Sequence, residues 1–170
     1  MAGMRHFDIH VLVLDPNRVW RAQRKRELKR LGIGAVREMS DPVDAIEVMR
    51  TTPIDVLVTD QRPELVRFIR ASRMRRIPAL PIVMVGARHR KADVREALHA
   101  GVDEFVNRDA DPGALCDSIV HVVRRGRRFV EADDYYGPDR PRHMGETGET
   151  DGPGDDMSLT RDEIETLLGR

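Results

Sequence analysis

Two aspartates each stand directly after a predominantly apolar run that is rich in β-branched residues. Asp15 follows residues 9–14 and Asp60 follows residues 54–59. The ordinary alternative is that aspartates at such positions only cap helices or form turns. No histidine or cysteine stands near the end of a predicted strand as a nucleophile or base, and no glycine-rich phosphate loop follows the first strand. These absences disfavour a small α/β hydrolase or a flavin protein.

The elements that would position the two aspartates are predicted by alternation along the chain. Five strand-like segments alternate with helical segments, and several of the helices begin at capping residues such as Asn17, Asp41 and Asp111. We therefore predict an α/β fold, a (βα)5 doubly wound five-stranded parallel sheet of order 2-1-3-4-5. Ligands of such sheets lie beyond the carboxyl ends of the strands, near the switch between the first and third strands, where Asp15 and Asp60 stand.

The formal net charge of zero hides a strong asymmetry along the chain. Residues 1–130 contain 25 Lys and Arg against 17 Asp and Glu, whereas residues 131–170 contain 4 against 12. The basic body lacks the interleaved aromatic residues that stack on bases, so we predict no nucleic-acid partner. No apolar run is long enough to span a membrane, and the single cysteine, Cys116, lies among aliphatic residues at helical spacing. We expect a buried thiol and a cytoplasmic protein.

The order and spacing of these residues resemble the receiver domains of two-component response regulators, especially the stand-alone chemotaxis regulators. The resemblance covers residues 8–128, which we predict to form one receiver-like domain. In that family an acidic pair follows the first strand, a phosphoacceptor aspartate the third, Thr or Ser the fourth, and Lys-Pro the fifth. The resemblance implies that Asp60 is the phosphoacceptor and that Asp15 and Asp60 are ligands of Mg²⁺. The four positions read here Asp15-Pro16, Asp60, Gly86 and Arg108-Asp109.

Three of these positions depart from the family pattern, and each departure has a chemical consequence. Pro16 removes the second carboxylate, so we expect Mg²⁺, which prefers several oxygen ligands, to bind weakly or to be lost. Gly86 has no hydroxyl to sense a phosphoryl group, and Arg108 places a planar guanidinium where the family has a compact ammonium. Phe105 stands where many members have an aromatic residue that changes rotamer on activation. The predicted switch positions are Gly86, Phe105 and Arg108.

The loop after Asp60 is also shorter than in the family. Only Gln61 and Arg62 separate the aspartate from Pro63, where the third helix is predicted to begin. In the family this loop contributes a backbone carbonyl to the metal. Its shortening therefore adds to the expected loss of metal affinity and places Arg62 near the site.

The C-terminal segment has a different composition from the body. Residues 129–157 are rich in Gly, Pro, Asp and Glu, which predicts an acidic linker that is mostly disordered. Residues 158–169 combine a capping box and a hydrophobic staple with a narrow apolar stripe. A helix of this length is too short to persist alone in water, so we predict an amphipathic interaction helix that folds on a surface.

This last segment also resembles the short N-terminal motif of flagellar motor switch proteins, which in that family binds an activated chemotaxis regulator. The resemblance implies that the helix docks on its own receiver or on another one. The alternative is a C-terminal helix that merely packs on its own domain. The residues predicted to bind the partner are Leu159, Thr160, Glu163, Ile164, Leu167 and Leu168.

Two functional hypotheses follow from these patterns. The first is an atypical receiver, not an enzyme, that acts as a protein-interaction module in a two-component pathway of the chemotaxis or flagellar type. The second is a phosphorylatable response regulator whose Asp60 takes a phosphoryl group from a histidine kinase. The predicted partners are a histidine kinase, or receiver and flagellar switch proteins.

Overall fold

The computed structural model describes residues 8–72, 77–87, 90–126, 129–132 and 135–139. Within these ranges, no helix is both long and apolar enough to cross a bilayer. Five strands alternate with five helices along the chain. They are β1 (His10–Leu14), α1 (Arg18–Arg30), β2 (Ala35–Met39), α2 (Pro42–Thr51), β3 (Val56–Thr59), α3 (Pro63–Ala71), β4 (Ile82–Gly86), α4 (Lys91–Ala100), β5 (Glu104–Asn107) and α5 (Pro112–Arg125).

The five strands form one parallel sheet in the order β2-β1-β3-β4-β5, which confirms the predicted fold class and order. Three of the helices, α1, α2 and α5, begin where a side-chain oxygen accepts otherwise unpaired backbone N–H groups. Asn17 accepts from Trp20 N–H at the start of α1, and Asp41 and Asp111 cap α2 and α5 in the same way. The predicted helix starts therefore lie at the carboxyl edge of the sheet, beside the candidate site.

The sheet is buried on both faces, as expected for a parallel sheet with helices on each side. Alternate residues of β1 point to opposite layers. Val11 and Val13 pack with residues of α1 and α5, whereas Leu12 and Leu14 pack with residues of α2, α3 and α4. Cys116 is buried in the first of these layers, as its helical spacing predicted.

After α5 the chain forms a short antiparallel hairpin of β6 (Phe129–Ala132) and β7 (Tyr135–Pro138). Strand β7 packs against α3 and α4, and Gly137 and Pro138 are buried. The sequence predicts a linker from residue 129 onward, and the structure differs from this prediction at both strands. Burial of the hairpin on the body accounts for the difference. The remaining linker from residue 140 and the predicted interaction helix lie outside the described residues.

The hairpin covers a buried arginine at the end of the sheet opposite to the candidate site. The guanidinium of Arg70 donates to the backbone carbonyls of Pro78, Leu80 and Gly101, and to the Asp103 carboxylate at 3.0 Å. The Phe129 ring stacks on this guanidinium, with its centroid 4.9 Å from Arg70 Cζ. We call these groups the Arg70 cluster. It joins α3, the approach to β4, the α4–β5 connection and the hairpin.

The Arg70 cluster should be necessary for stability. Arg70→Met removes a donor from three backbone carbonyls and the guanidinium from the Asp103 carboxylate, so the free energy of unfolding should fall by about 3–5 kcal/mol. The matched control is Arg67→Met on the same helix, because Arg67 forms an exposed pair with Glu96 and its loss should cost about 0–1 kcal/mol. Urea unfolding measures both. Equal losses for the two variants would contradict the role given to the cluster.

Candidate functional site

The predicted site residues come together at the carboxyl edge of the sheet. Asp15 follows β1 and Asp60 follows β3, and these strands are neighbours in the sheet. The backbone N–H of Asp60 donates to Leu14 O at 3.1 Å, and the N–H of Arg108 donates to Gly86 O at 2.9 Å. Parallel pairing therefore brings the residues that follow β1, β3 and β5 to the edge that also ends β4.

Asp15 is completely buried, and both of its carboxylate oxygens accept hydrogen bonds. Oδ1 accepts the backbone N–H of Asn17 at 2.7 Å and Nη2 of Arg108 at 3.1 Å. Oδ2 accepts Nη1 of Arg108 at 2.7 Å. The Asp15 backbone carbonyl accepts a further bond from Arg21. Charge-assisted bidentate pairs of this kind are among the strongest polar contacts in proteins.

The guanidinium of Arg108 is contacted on its planar face as well as through its N–H groups. The Trp20 ring lies against the guanidinium, with its centroid 4.7 Å from Cζ. The pKa of Arg108 is raised above its ordinary value, chiefly by the hydrogen bond to Asp15. Burial opposes this rise, and the charges of Asp15, Asp60 and Asp109 add to it. The rise in pKa favours the charged form of the guanidinium.

Asp60 has a different environment from Asp15. Its side chain is 17 % exposed, and Oδ1 accepts Nε of Arg62 at 2.6 Å and the Thr59 hydroxyl at 3.5 Å. Among the described residues, no donor contacts Oδ2. The short loop that the sequence indicated places Arg62 directly before α3, where it pairs with Asp60 and makes no side-chain cap bond to the helix. Within the described ranges, Oδ2 of Asp60 is thus left without a protein donor on a side chain that is partly exposed.

The Phe105 ring lies over Gly86. Phe105 is 1 % exposed, and a Cβ atom added to Gly86 would lie 2.8 Å from Phe105 Cζ and 2.8 Å from Oε1 of Gln61. The Gln61 side chain is exposed and can move, whereas the Phe105 ring is packed within the core. Space for a Thr or Ser side chain at position 86 is therefore filled by the ring of Phe105.

The residues present do not fit a divalent metal ion. Both oxygens of Asp15 are taken by Arg108 and Asn17, and Oδ1 of Asp60 is taken by Arg62. Nowhere in the described ranges do three or more His, Cys, Asp or Glu side chains gather in a way that could hold a metal. The sequence predicted a weakened site because Pro16 replaces a carboxylate. The structure adds that Arg108 occupies the carboxylate that remains.

Sequence reasoning placed Asp15, Asp60, Gly86, Phe105 and Arg108 at this edge but missed Trp20. The signal available was an aromatic residue in the first turn of α1, five positions after Asp15. Trp20 is half-buried, packs against the core cluster of α1 and α5, and stacks on Arg108. The residues predicted to bind a partner, Leu159, Thr160, Glu163, Ile164, Leu167 and Leu168, lie outside the described residues.

Packing of Phe105 against Gly86 leads to a prediction about stability. Gly86→Ala places a methyl group into the ring and should lower the free energy of unfolding by about 1–3 kcal/mol. Combined with Phe105→Leu, the same change should cost less than in the wild-type background, because the smaller side chain makes room. A double-mutant cycle by urea unfolding measures the coupling. Additive losses would show that the two positions do not share this space.

Comparison with known proteins places these features in context. The model of the response regulator receiver domain family matches residues 11–120. A chemotaxis protein CheY homolog from Campylobacter jejuni is 31 % identical, with 68 % of this chain and 93 % of that protein covered. The transcriptional regulatory protein CseB from Streptomyces avermitilis is also 31 % identical over 76 % of this chain, but only 57 % of that protein is covered.

A solved structure with the same fold is the receiver domain of a sensor histidine kinase from Pseudomonas aeruginosa PAO1, described with a magnesium ion coordinated in its active-site cleft. It superimposes with a TM-score of 0.59 at 20 % identity, over 68 % of this chain and 97 % of that one. At this identity the likeness concerns the fold. The magnesium ion belongs to that protein. In this chain both Asp15 carboxylate oxygens are bonded to Arg108 and Asn17.

Proposed function

The chain belongs to the receiver domain family of response regulators, and on that premise we propose that it is an atypical receiver whose interaction surface does not depend on phosphorylation. Receiver domains are signalling modules of two-component systems and not enzymes. The proposed role is that of a protein-interaction module in the cytoplasm. Its partners would be a histidine kinase, other receivers or flagellar switch proteins, in a pathway of the chemotaxis or flagellar type.

The observation that carries the proposal is the packing of Phe105 against Gly86. In the receivers that this chain resembles, a hydroxyl after the fourth strand senses the phosphoryl group and the aromatic residue then changes rotamer. Here no hydroxyl is present, and the ring already fills the space beside Gly86. A phosphoryl group on Asp60 would therefore have no hydroxyl at position 86 to bind, and the Phe105 ring would have no empty space beside Gly86 to enter. The surface of α4, β5 and α5 would therefore keep one arrangement whether or not Asp60 is modified.

A specific observation also supports the second hypothesis, that Asp60 is a phosphoacceptor. Its Oδ2 atom has no protein donor among the described residues, and the side chain reaches solvent. An exposed carboxylate oxygen can attack a small phosphodonor. Arg62 at 2.6 Å from Oδ1 could balance part of the added charge. The two hypotheses therefore differ in whether phosphorylation of Asp60 changes the surface of α4, β5 and α5, and not only in whether Asp60 is phosphorylated.

Labelling with a small phosphodonor separates the two hypotheses. Acetyl phosphate, if it labels the protein, should label Asp60, and Asp60→Asn should abolish the mass increase while the fold is kept. Asp109→Asn is the matched control, because Asp109 is an exposed carboxylate at the same edge. Intact-mass spectrometry gives the stoichiometry.

The structural response is then read from amide chemical shifts of the labelled protein. The proposal predicts small changes in β4, α4 and β5, confined to residues next to Asp60. Large changes across these three elements would contradict an interaction surface that is independent of phosphorylation. They would favour a working response regulator instead.

For the C-terminal segment we propose that residues 158–169 form a helix that docks on the same receiver, on the face of α4, β5 and α5. The outer side of α5 carries an open depression of about 470 Å³, lined by Asp117, Val120, His121, Arg124 and Arg125. Its lining combines two arginines, one histidine and one carboxylate around one aliphatic side chain. The proposed helix offers the opposite charge, with Asp162, Glu163 and Glu165 beside Ile164 and Leu168. Charge and apolar contact would therefore act together.

Tethering would raise the occupancy of this contact. Residues 140–157 would span roughly 20–25 Å as a flexible coil, which is enough to reach α5 from the hairpin. A tether of this length gives an effective concentration in the millimolar range, so that even a weak contact would be well populated. The opposite charges of tail and body add an attraction that salt screens. Docking in cis would then restrict access of other partners to the same face.

Removing the tail contact should expose the face. Deletion of residues 158–170, or Ile164→Ala with Leu168→Ala, should increase binding of a flagellar switch peptide, with the larger gain at low salt. Arg124→Glu with Arg125→Glu should release the tail as well, and Arg50→Glu on the remote helix α2 is the control. Fluorescence anisotropy of a labelled peptide measures the affinity. Unchanged peptide binding by the deletion variant would indicate that the tail acts in trans or has no such role.

A further inference from the structure

The buried carboxylate of Asp15 has its compensating cation inside the protein. A fully buried carboxylate is costly unless a cation and hydrogen-bond donors surround it. Asp15 is 0 % exposed, and Arg108 meets it with two parallel N–H···O bonds of 2.7 Å and 3.1 Å. The Asn17 N–H supplies a third donor. The charge of the carboxylate is thus balanced by groups of this chain.

The position of Arg108 is fixed by more than its ion pair. Trp20 covers one face of the guanidinium at 4.7 Å, and the backbone of Arg108 is tied to Gly86 O at 2.9 Å. The backbone N–H of Trp20 donates to Oδ1 of the cap residue Asn17, and the backbone N–H of Asn17 donates to Asp15. These contacts close a ring of residues around the carboxylate. A guanidinium held in this way is an ordered part of the site and not a mobile surface charge.

We propose that the guanidinium of Arg108 is a permanent internal cation that replaces the divalent metal ion, so that this receiver is independent of metal. Loss of the second carboxylate at Pro16 would only weaken a metal site. The ion pair between Asp15 and Arg108 abolishes the metal site, because an incoming ion must first break a buried bidentate pair. Breaking such a pair lowers the affinity for the ion on the order of 10²- to 10⁴-fold.

The inference is independent of the proposed interaction function. A receiver that binds partners without phosphorylation could still bind Mg²⁺, and a metal-independent receiver could still be phosphorylated. The metal experiment therefore tests only the role of Arg108. Its outcome leaves the partner-binding and labelling experiments unaffected.

Four forms of the full chain separate the two explanations for poor metal binding. They are the wild type, Pro16→Asp, Arg108→Lys, and the double variant. Trp20 is the only tryptophan of the chain and lies against Arg108, so its fluorescence reports directly on the site. The midpoint of thermal unfolding is the second measurement, since a metal that binds only the folded state raises it. Mg²⁺ is titrated into the millimolar range, with Ca²⁺ as a second probe.

We expect no saturable change in the wild type and little in Pro16→Asp, because the guanidinium still covers Asp15. Arg108→Lys should gain weak binding, because an ammonium cannot form the bidentate pair. The double variant should bind at least 10²-fold more tightly than Pro16→Asp alone, because both carboxylates are then available to the ion. Arg62→Lys is the matched control at the neighbouring carboxylate, and it should leave the chain without a metal site.

Two results would overturn the inference. One is saturable Mg²⁺ binding by the wild type. The other is binding by Pro16→Asp that is as tight as binding by the double variant, since the missing carboxylate would then be the whole cause. If Arg108→Lys fails to fold, Mn²⁺ titration of the wild type and Pro16→Asp decides the question. Selective paramagnetic broadening of the Asp15 and Asp60 amide signals in either protein would contradict the inference, and its absence from both would support it.

Discussion

The arrangement of the carboxyl edge depends on the cost of burying one charge. Asp15 lies at 0 % exposure, and its ion pair with Arg108 is what makes that burial tolerable. In the sheet order, β1 and β5 are separated by β3 and β4, so no strand pairing joins them. The guanidinium of Arg108, which follows β5, joins the two ends by bonding to Asp15, which follows β1. A site held together by its own side chains does not need an ion to complete it.

A second buried arginine–carboxylate pair lies at the opposite end of the sheet. The Arg70 cluster also combines a guanidinium, a buried carboxylate, here Asp103, and an aromatic ring that covers the cation. In both places the aromatic residue comes from a segment outside the sheet, Trp20 from α1 and Phe129 from β6. Stacking an arginine on an aromatic face excludes water from one side of the ion pair, which strengthens it. The hairpin is thus part of the folded body.

Much of the fold follows from the sequence, because the inner strands are short and apolar on both faces, and each strand is followed by a helix that must cross back. The same order places Asp15, Asp60 and Arg108 at one edge. The pairing of Asp15 with Arg108 did not follow from it, since the reach of a guanidinium across two strands depends on side-chain packing. The hairpin was missed for a different reason. Phe129 stabilises it through Arg70, a contact between distant parts of the chain that local composition does not encode.

Arg108 and Arg62 differ in how readily they can move toward a negative charge on Asp60. Arg108 interacts electrostatically with Asp60 but is bonded to Asp15, and to turn toward a phosphoryl group it would have to leave a buried carboxylate unpaired. That cost of about 3–5 kcal/mol is comparable to the free energy that moves a two-state equilibrium from one side to the other. Arg62 pays no such cost, because it already bonds to Asp60 and is partly exposed. A negative charge at Asp60 would therefore be balanced by Arg62, at the start of α3. The ion pair of Arg108 and Asp15, which connects β5 to β1, would stay in place.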